Sequence, residues 1–276
     1  MFEDLYSIHL ATWPRPVLEA AIRRRVQTAY LGNGIILARI LGRMKIFLRS
    51  GDRGFACHVM LDGFWEMWLT QFLAHRVKPG MTAIDVGANF GYFTLLLGDA
   101  VGETGRVIAV EPNPDTAALL RETVLLNGHS TRTRVVPHAL GARAGRDWLY
   151  SPDGEPKNAT LVDKENLPGG RTFEVSTFTL DEIALEYPRV DLIKIDAEGG
   201  ELNIVAGMQG LIARDHPIIV LEFNAARYPD PGGFLDKLLE NYRSAKELSL
   251  DGAILPLDSE SVLDKTNVQD RILLFE

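Results

Sequence analysis

The chain has 276 residues, of which 46% are hydrophobic and 24% are charged, and its formal net charge is −8. These values are typical of a globular protein, and the single cysteine excludes a disulfide framework and a cysteine-rich metal site. The acidic balance argues against nucleic acid as a partner, because nucleic-acid binding requires a positive surface.

The amino terminus and the apolar stretches of the chain bear on its location. The first residues do not form a basic start followed by an apolar run, so we expect no signal peptide. The longest apolar stretch, residues 35–48, is interrupted by three basic residues, which argues against a transmembrane helix. Together with the single cysteine, these features predict a cytoplasmic protein.

Charge is unevenly distributed along the chain. Residues 1–53 contain nine basic residues and four acidic ones, although the whole chain is acidic. A basic segment on an acidic body could meet an anionic acceptor, a membrane surface or a partner subunit. The solvated basic face of an amphipathic helix is the simpler explanation.

The amino-terminal part of the chain has little regular pattern beyond three short elements. The sequence predicts a helix from Pro14 to about Tyr30, and a hairpin with strands at residues 44–49 and 55–61. We therefore expect residues 1–65 to form a helical and hairpin extension ahead of a larger domain at 66–276. Such an extension could contact the acceptor or mediate homo-oligomerisation.

From residue 64 onward, helices and strands alternate. The predicted helices lie at 64–77, 91–100, 115–127, 199–213 and 232–243, and the predicted strands at 82–87, 106–111, 134–140, 191–196, 217–223, 246–250 and 271–276. Residues 143–178 interrupt this order with two short strands around the polar loop 153–158. The pattern predicts a doubly wound α/β fold with a mostly parallel sheet and an antiparallel edge. Ligands of such sheets bind beyond the carboxyl ends of the strands.

A glycine-containing turn follows the first strand of this sheet. Gly87, Asn89 and Gly91 have the spacing G-x-N-x-G, and Asp85 precedes them. Missing side chains let a ligand lie against the backbone, and the following helix offers unpaired N–H groups. The spacing differs from the G-x-G-x-x-G of dinucleotide-binding turns, and Asp85 suits a ligand with an ammonium group. The turn therefore indicates S-adenosylmethionine (SAM), the alternative being an ordinary tight turn.

The second strand ends in an acidic residue, Glu111, about twenty residues after the glycine turn. At that position a carboxylate can accept hydrogen bonds from both ribose hydroxyls of a nucleoside. The alternative is a solvated carboxylate at a strand end.

The fourth strand and the residues after it contain a lysine and three acids. Lys194 lies within an otherwise apolar strand, so we expect a carboxylate or a ligand beside it. Asp196, Glu198 and Glu201 would repel one another unless a cation, a proton or a hydrogen-bond donor lies among them. The alternative is that these acids only stabilise the N-terminus of the following helix, which would account for the position of Glu201 but not for that of Asp196. We predict that Lys194, Asp196 and Glu198 are catalytic.

The fifth strand ends in Glu222-Phe-Asn224, which would lie beside Asp196 if strands four and five are neighbours. Asp196, Glu222 and Asn224 supply hard oxygen ligands, and Mg²⁺ bound there could lower the pKa of an acceptor hydroxyl. The alternative is that Glu222 pairs with Lys194 or with an arginine.

Several of these stretches resemble the signature of the FkbM-type methyltransferases. They are Lys78-Pro-Gly80, Asp85 to Tyr92, Val110 to Asn113, Asp191 to Glu201 and the lead-in Gly63 to Glu66. The resemblance runs from about Met44 to Glu276. It implies the class I, Rossmann-like methyltransferase fold with seven strands and an antiparallel last strand. It also implies SAM as cofactor and O-methylation of a small-molecule or glycan acceptor, such as a sugar or a glycosylated natural product.

Site residues follow from the resemblance by position. The residues expected to bind SAM are Glu66, Asp85, Gly87, Asn89, Gly91, Tyr92, Glu111, Asn113, His138, Ala139 and Asp196, with Glu111 on the ribose and His138 and Ala139 near the adenine. Asp196 and Glu198 would face the acceptor. Family members commonly have His where this chain has Gly200. The role of general base therefore passes to Asp196, Glu198 or another histidine.

Two alternatives to a methyltransferase remain at this point. A nucleotide-dependent oxidoreductase could use the same sheet, although the G-x-N-x-G spacing disfavours it. A SAM-binding module without catalysis is the other alternative, and Gly200 in place of His supports it.

Overall fold

The computed structural model describes residues 4–155, 158–162 and 170–276, and these residues form three sheets with flanking helices. The described part of the chain before the large sheet contains four helices and three strands. These are α1 (Ser7–Thr12), α2 (Arg15–Arg23), β1 (Thr28–Gly32), β2 (Ile35–Ile40), β3 (Met44–Arg49), α3 (Phe55–Asp62) and α4 (Met67–Arg76). The three strands form an antiparallel sheet in the order β1-β2-β3.

Two predictions for this region are wrong. The helix expected up to Tyr30 ends at Arg23, because residues 28–32 pair with β2 through a tight turn. Asn33 and Gly34 in that turn both have positive φ, which is typical of two-residue hairpin turns. Residues 55–62 form a helix instead of a strand, since the Asp52 carboxylate accepts hydrogen bonds from the N–H groups of residues 54 and 55 and begins α3.

The predicted amino-terminal extension packs directly on the rest of the chain. One hydrophobic cluster includes Leu18 and Ile46 together with Leu95 and Leu274, and all four side chains are buried. The division into two domains at residue 65 stays a prediction, as does oligomerisation through the extension. Within the described ranges, no helix is long and apolar enough to cross a membrane.

The remaining elements alternate as expected. They are β4 (Thr82–Val86), α5 (Tyr92–Ala100), β5 (Arg106–Val110), α6 (Pro114–Leu126), β6 (Thr133–Val136), β7 (Ala139–Leu140), β8 (Gly145–Ser151), β9 (Thr160–Val162), β10 (Arg171–Phe178), α7 (Leu180–Ala184), β11 (Leu192–Ile195), α8 (Glu201–Ala206), α9 (Gln209–Asp215), β12 (Ile218–Phe223), α10 (Pro231–Leu239), β13 (Ala245–Leu248), β14 (Ile254–Pro256), α11 (Ser259–Val262) and β15 (Arg271–Phe275).

The large sheet has the strand order β14-β13-β15-β12-β11-β4-β5-β6. Strands β4, β5, β6, β11 and β12 are parallel, and the last strand, β15, is antiparallel to both of its neighbours. The class I methyltransferase fold is therefore confirmed. In the described residues the sheet has one strand more than the seven expected, because β14 pairs with β13 at the edge.

A second, four-stranded sheet has the order β7-β10-β8-β9. The sequence predicted two short strands between residues 143 and 178, and the described part of this region contains three. Residues 156–157 of the predicted polar loop lie outside the described residues. The strand expected at 134–140 is divided, since β6 ends at Val136 and β7 joins the second sheet through β10.

The helix expected at 199–213 is also divided, into α8 and α9. Gly207 lies at the break, and a Cβ atom there would be 2.1 Å from the carbonyl oxygen of Gly141. The backbone of the loop after β7 therefore approaches the helix break more closely than any side chain permits.

Substituting Gly207 by Ala should lower the free energy of unfolding by about 1–3 kcal/mol, because two backbone segments must move apart. Gly51→Ala is the matched control, since a Cβ atom at Gly51 meets nothing within 4 Å. Urea unfolding of both variants checks the prediction, and equal stability of the two would contradict it.

Candidate active site

A cavity of about 930 Å³ lies at the carboxyl ends of β4, β5, β11 and β12. This volume is in the range of small-molecule sites. Residues 159–162 of the second sheet line it, as do Phe55 and Trp65, which precede the large sheet in the chain. The cavity is therefore bounded by the large sheet, by the second sheet and by the amino-terminal region, and the strand ends bring most of the predicted site residues to it.

The glycine turn after β4 forms one wall of this cavity. Gly87 and Asn89 line it, whereas Gly91 does not. A Cβ atom on Gly87 would lie 1.7 Å from the carbonyl oxygen of Asp196, and one on Gly91 would lie 2.6 Å from Leu120. Both glycines also have positive φ. The protein's own close packing thus requires these glycines, and the expected contact of Gly91 with the cofactor stays a prediction.

Glu111 lies at the end of β5 and holds the glycine turn in place. Its carboxylate accepts hydrogen bonds of 2.9 Å from the backbone N–H groups of Asn89 and Asn113. Only 7% of the residue is exposed, so the alternative of a solvated carboxylate is wrong. Burial raises the pKa of Glu111 to about 7, although the two N–H groups oppose the shift. Glu111 also lines the cavity.

Lys194 is buried in the centre of the large sheet and has the carboxylate neighbours that the sequence predicted. Its Nζ lies 3.6 Å from Oδ1 of Asp85 and 3.2 Å from Oδ2 of Asp196, and 5.0 Å from the centre of the Phe93 ring. Burial opposes the charge, but the two carboxylates hold the pKa of Lys194 above its usual value. A cation held in this way orients Asp196 and is poorly suited to exchange a proton.

Asp85 is paired with Lys194, and its expected contact with the cofactor stays a prediction. The residue is fully buried and does not line the cavity. Its carboxylate accepts a 2.6 Å hydrogen bond from the Thr94 hydroxyl. Burial raises the pKa of Asp85, while Lys194 and Thr94 stabilise the charged form.

Asn113 is also a structural residue. Its side chain accepts hydrogen bonds from the N–H groups of residues 115 and 116, which caps α6, and it donates to the Ser151 hydroxyl. Asn113 does not line the cavity.

The other residues expected to bind SAM do line the cavity. They are Glu66, Tyr92, His138, Ala139 and Asp196, in addition to those already described. Glu66 has a positive φ and directly precedes α4, and the Tyr92 hydroxyl is 2.9 Å from the Thr70 hydroxyl. The His138 ring packs against Phe178, and burial lowers the pKa of His138. Their roles toward the cofactor stay predictions.

At the other end of the cavity, Asp196, Glu198 and Glu222 come together. Strands β11 and β12 are parallel neighbours, so their carboxyl ends place Asp196 and Glu222 side by side as expected. Burial raises the pKa of Glu222 well above its usual value, and the charge of Asp196 adds to the shift. Glu222 therefore favours its protonated, uncharged form.

Arg227, which sequence analysis missed, gathers the carboxylates at this end. Its guanidinium lies 3.0 Å from Glu198, 3.0 Å from Glu222 and 3.1 Å from Asp270. The residue lies in a 3₁₀ turn just after β12, and the sequence contains no pattern that marks it. An arginine pairing with Glu222 was the alternative to a metal site, and it is confirmed.

The acids after β11 each have a donor or a cation, as their spacing requires. Glu201 accepts hydrogen bonds from the backbone N–H groups of Ala197 and Gly199, and from the Tyr228 hydroxyl at 2.6 Å. These contacts fix the loop that carries Glu198, whose φ is positive. Gly200 lies directly before α8 and lines the cavity without a functional side chain.

The magnesium site expected at Asp196, Glu222 and Asn224 stays a prediction, and the contacts of Glu222 and Asn224 do not favour it. Both polar atoms of the Asn224 side chain are engaged, since its nitrogen donates to Val268 and Asp270 and its oxygen accepts from the N–H of residue 226. Glu222 is paired with the arginine. In the ranges that the structure covers, no group of three or more His, Cys, Asp or Glu residues is arranged to hold a metal ion.

Comparison with known proteins gives a family match. The model of the methyltransferase FkbM domain matches residues 85–245, which is more than half of the chain. The hexuronic acid methyltransferase AglP of Haloferax volcanii is 29% identical over 210 residues, which are 71% of this chain and 81% of that protein. The methyltransferase sdnD of Sordaria araneosa is 25% identical over 154 residues, which are 45% of this chain and 59% of that protein.

One solved structure similar to this chain is the methyltransferase FkbM of Methylobacillus flagellatus. It is 19% identical with a TM-score of 0.47, and the match covers 73% of this chain and 44% of that one. This chain therefore corresponds to less than half of the length of that protein.

The role of Lys194 can be tested by stability. Lys194→Met should lower the free energy of unfolding by about 3–5 kcal/mol, because it leaves Asp85 buried without a countercharge. Combining it with Asp85→Asn should cost clearly less than the sum of the two single variants. Denaturant unfolding of the four proteins measures this coupling, and additive effects would show that the two side chains do not depend on each other.

Proposed function

Because the chain belongs to the FkbM methyltransferase family, we propose that it transfers a methyl group from SAM to a hydroxyl group of a sugar or of a glycosylated natural product. The observation that supports an O-methyltransferase is the pair of carboxyl groups, Asp196 and Glu222, in the cavity that also contains the glycine turn. AglP, by its name a hexuronic acid methyltransferase, supports a sugar acceptor. Family membership sets aside the oxidoreductase alternative.

The residues at the glycine turn fit SAM. Asn89 lines the cavity, and its Oδ1 is buried and accepts no hydrogen bond from any described residue. This oxygen could accept from an ammonium group. The Glu111 carboxylate has lone pairs beyond the two that its N–H contacts use, so it can also accept from ribose hydroxyls. We assign Asn89 to the amino-acid part and Glu111 to the ribose.

Methyl transfer requires only a limited contribution from the protein. SAM, when bound, supplies a methyl group already activated by its sulfonium. The chain must therefore align the acceptor oxygen and accept its proton, because a sugar hydroxyl is far too weak an acid to ionise at neutral pH.

Asp196 is the best placed base. Its side chain is 32% exposed, and one of its oxygens is fixed by Lys194. Glu198, the other acid predicted to act on the acceptor, is held by Arg227. The neighbouring Glu222 favours the protonated form, so it is not available as the base. Asp196 therefore replaces the histidine that other family members have at the position of Gly200.

Gly200 keeps one alternative open, a SAM-binding module without catalysis. The test is incubation of the protein and SAM with metabolite and glycan extracts, followed by mass spectrometry for products that gain one methylene group. A protein that binds SAM in calorimetry but yields no such product from any extract would support the module.

Cofactor affinity should depend on pH through Glu111. Its carboxylate must be ionised to accept both ribose hydrogen bonds, and its pKa in the free protein is about 7. SAM affinity should therefore fall by up to about tenfold between about pH 8 and about pH 6. Calorimetry measures this change. Glu111→Gln, which cannot ionise, should bind SAM more weakly by about 1–3 kcal/mol and lack this part of the pH dependence. An identical pH profile in that variant would remove Glu111 from the cofactor site.

Asp196→Asn should reduce turnover of the acceptor by about 100-fold or more, the usual contribution of a positioned base, with little change in SAM affinity. Asp236→Asn is the matched control, because Asp236 is exposed on α10 away from the cavity. Steady-state kinetics and SAM calorimetry on both variants check the prediction. Full activity of the Asp196 variant would contradict it.

A further inference from the structure

The cavity is lined by many more acids than bases. The acidic residues are Glu66, Glu111, Asp147, Asp196, Glu198 and Glu222, and the basic ones are Arg143 and Lys194. Among the described lining residues the formal charge is therefore four negative. Such a surface favours cations and uncharged groups over anions.

Neither of the two cations at the ends of β11 and β12, Lys194 and Arg227, is available to an incoming anion. The Lys194 side chain is only 3% exposed and lies between Asp85 and Asp196. The Arg227 guanidinium is shared by three carboxylates within 3.1 Å. Their positive charges are thus already balanced by residues of the protein.

Protonation of one acidic residue does not remove the excess of negative charge in the cavity. Burial holds the pKa of Glu222 high, so this group can be neutral. Glu66, Asp196 and Glu198 still line the same cavity. Arg143 is exposed in the loop after β7, whereas the protein carboxylates that are proposed to face the acceptor follow β11 and β12.

From this arrangement we infer that the acceptor is a hydroxyl compound without negative charge, a neutral or amino-bearing glycoside, and that uronic acids are excluded. This inference rests on the proposed function and names the acceptor class of the same site. It separates this chain from AglP, whose name specifies a hexuronic acid. The residues that determine this specificity are Glu66, Asp196 and Glu198.

The physical reason is the cost of a like charge in a partly enclosed site. A carboxylate brought next to an excess of carboxylates is repelled, and the low exposure of the site weakens screening by water. A neutral hydroxyl group is not repelled by these charges, and it can donate a hydrogen bond to a carboxylate. An ammonium group gains from the same field.

The test uses protein loaded with S-adenosylhomocysteine, whose binding is first measured by calorimetry. Methyl glucoside, methyl glucosaminide and methyl glucuronide are then titrated by saturation-transfer NMR. The neutral and amino glycosides should bind, and the uronate should bind at least about tenfold more weakly, which corresponds to about 1.4 kcal/mol. Equal or tighter binding of the uronate would overturn the inference, as would binding of none of the three.

Substitutions of single charged residues test whether the charge of the cavity causes the weaker binding of the uronate. Glu66→Gln should narrow the difference in affinity between the glucoside and the glucuronide, because it removes one negative charge from the cavity wall. Glu198→Gln serves the same purpose if the first variant folds poorly. Glu103→Gln, on the exposed turn before β5, should leave the difference unchanged. Uronate binding that disappears in Arg143→Gln would assign an anion site to Arg143 and contradict the inference. If S-adenosylhomocysteine itself does not bind, the proposed function fails and not merely the acceptor class.

Discussion

A lysine buried at the centre of the large sheet is the interaction on which the site depends. Lys194 is enclosed by apolar strands, and only the carboxylates of Asp85 and Asp196 make its charge tolerable there. Asp85 is on β4 and Asp196 follows β11, so this ion pair connects the two strands at whose ends the cavity lies. The same contact leaves Asp196 at the surface of the cavity with a defined orientation.

The two ends of the cavity differ in chemistry. At the glycine turn, Glu111 organises backbone N–H groups and Asn89 retains an unused buried oxygen, which suits a cofactor with hydroxyl and ammonium groups. At the ends of β11 and β12, Asp196 and Glu198 leave a negative field in the cavity, since Lys194 and Arg227 are already paired with carboxylates. A cationic cofactor and an uncharged acceptor are both compatible with that field.

The parallel sheet could be predicted from the sequence, because its strands are continuous apolar runs with acids and glycines at their ends. It correctly required a carboxylate beside Lys194, since a buried ammonium cannot stay unpaired. It failed where the outcome depended on long-range contacts. No local sequence pattern shows that Asp85 turns inward to Lys194. None marks Arg227 as the partner of Glu222 either. The strand predicted at residues 55–61 failed because a short and mostly apolar run does not distinguish a strand from a helix. The residues buried there, Phe55, Ala56 and Val59, have helical spacing.

We propose that the glycine turn and Glu111 hold SAM beside Asp196, and a crystal structure with bound S-adenosylhomocysteine is the decisive measurement. The ribose hydroxyls should lie within hydrogen-bond distance of the Glu111 carboxylate, the amino group near Oδ1 of Asn89, and the sulfur should face Asp196 across the cavity. A cofactor bound elsewhere, or one whose sulfur faces away from Asp196, would show that these residues do not form the methyl-transfer site.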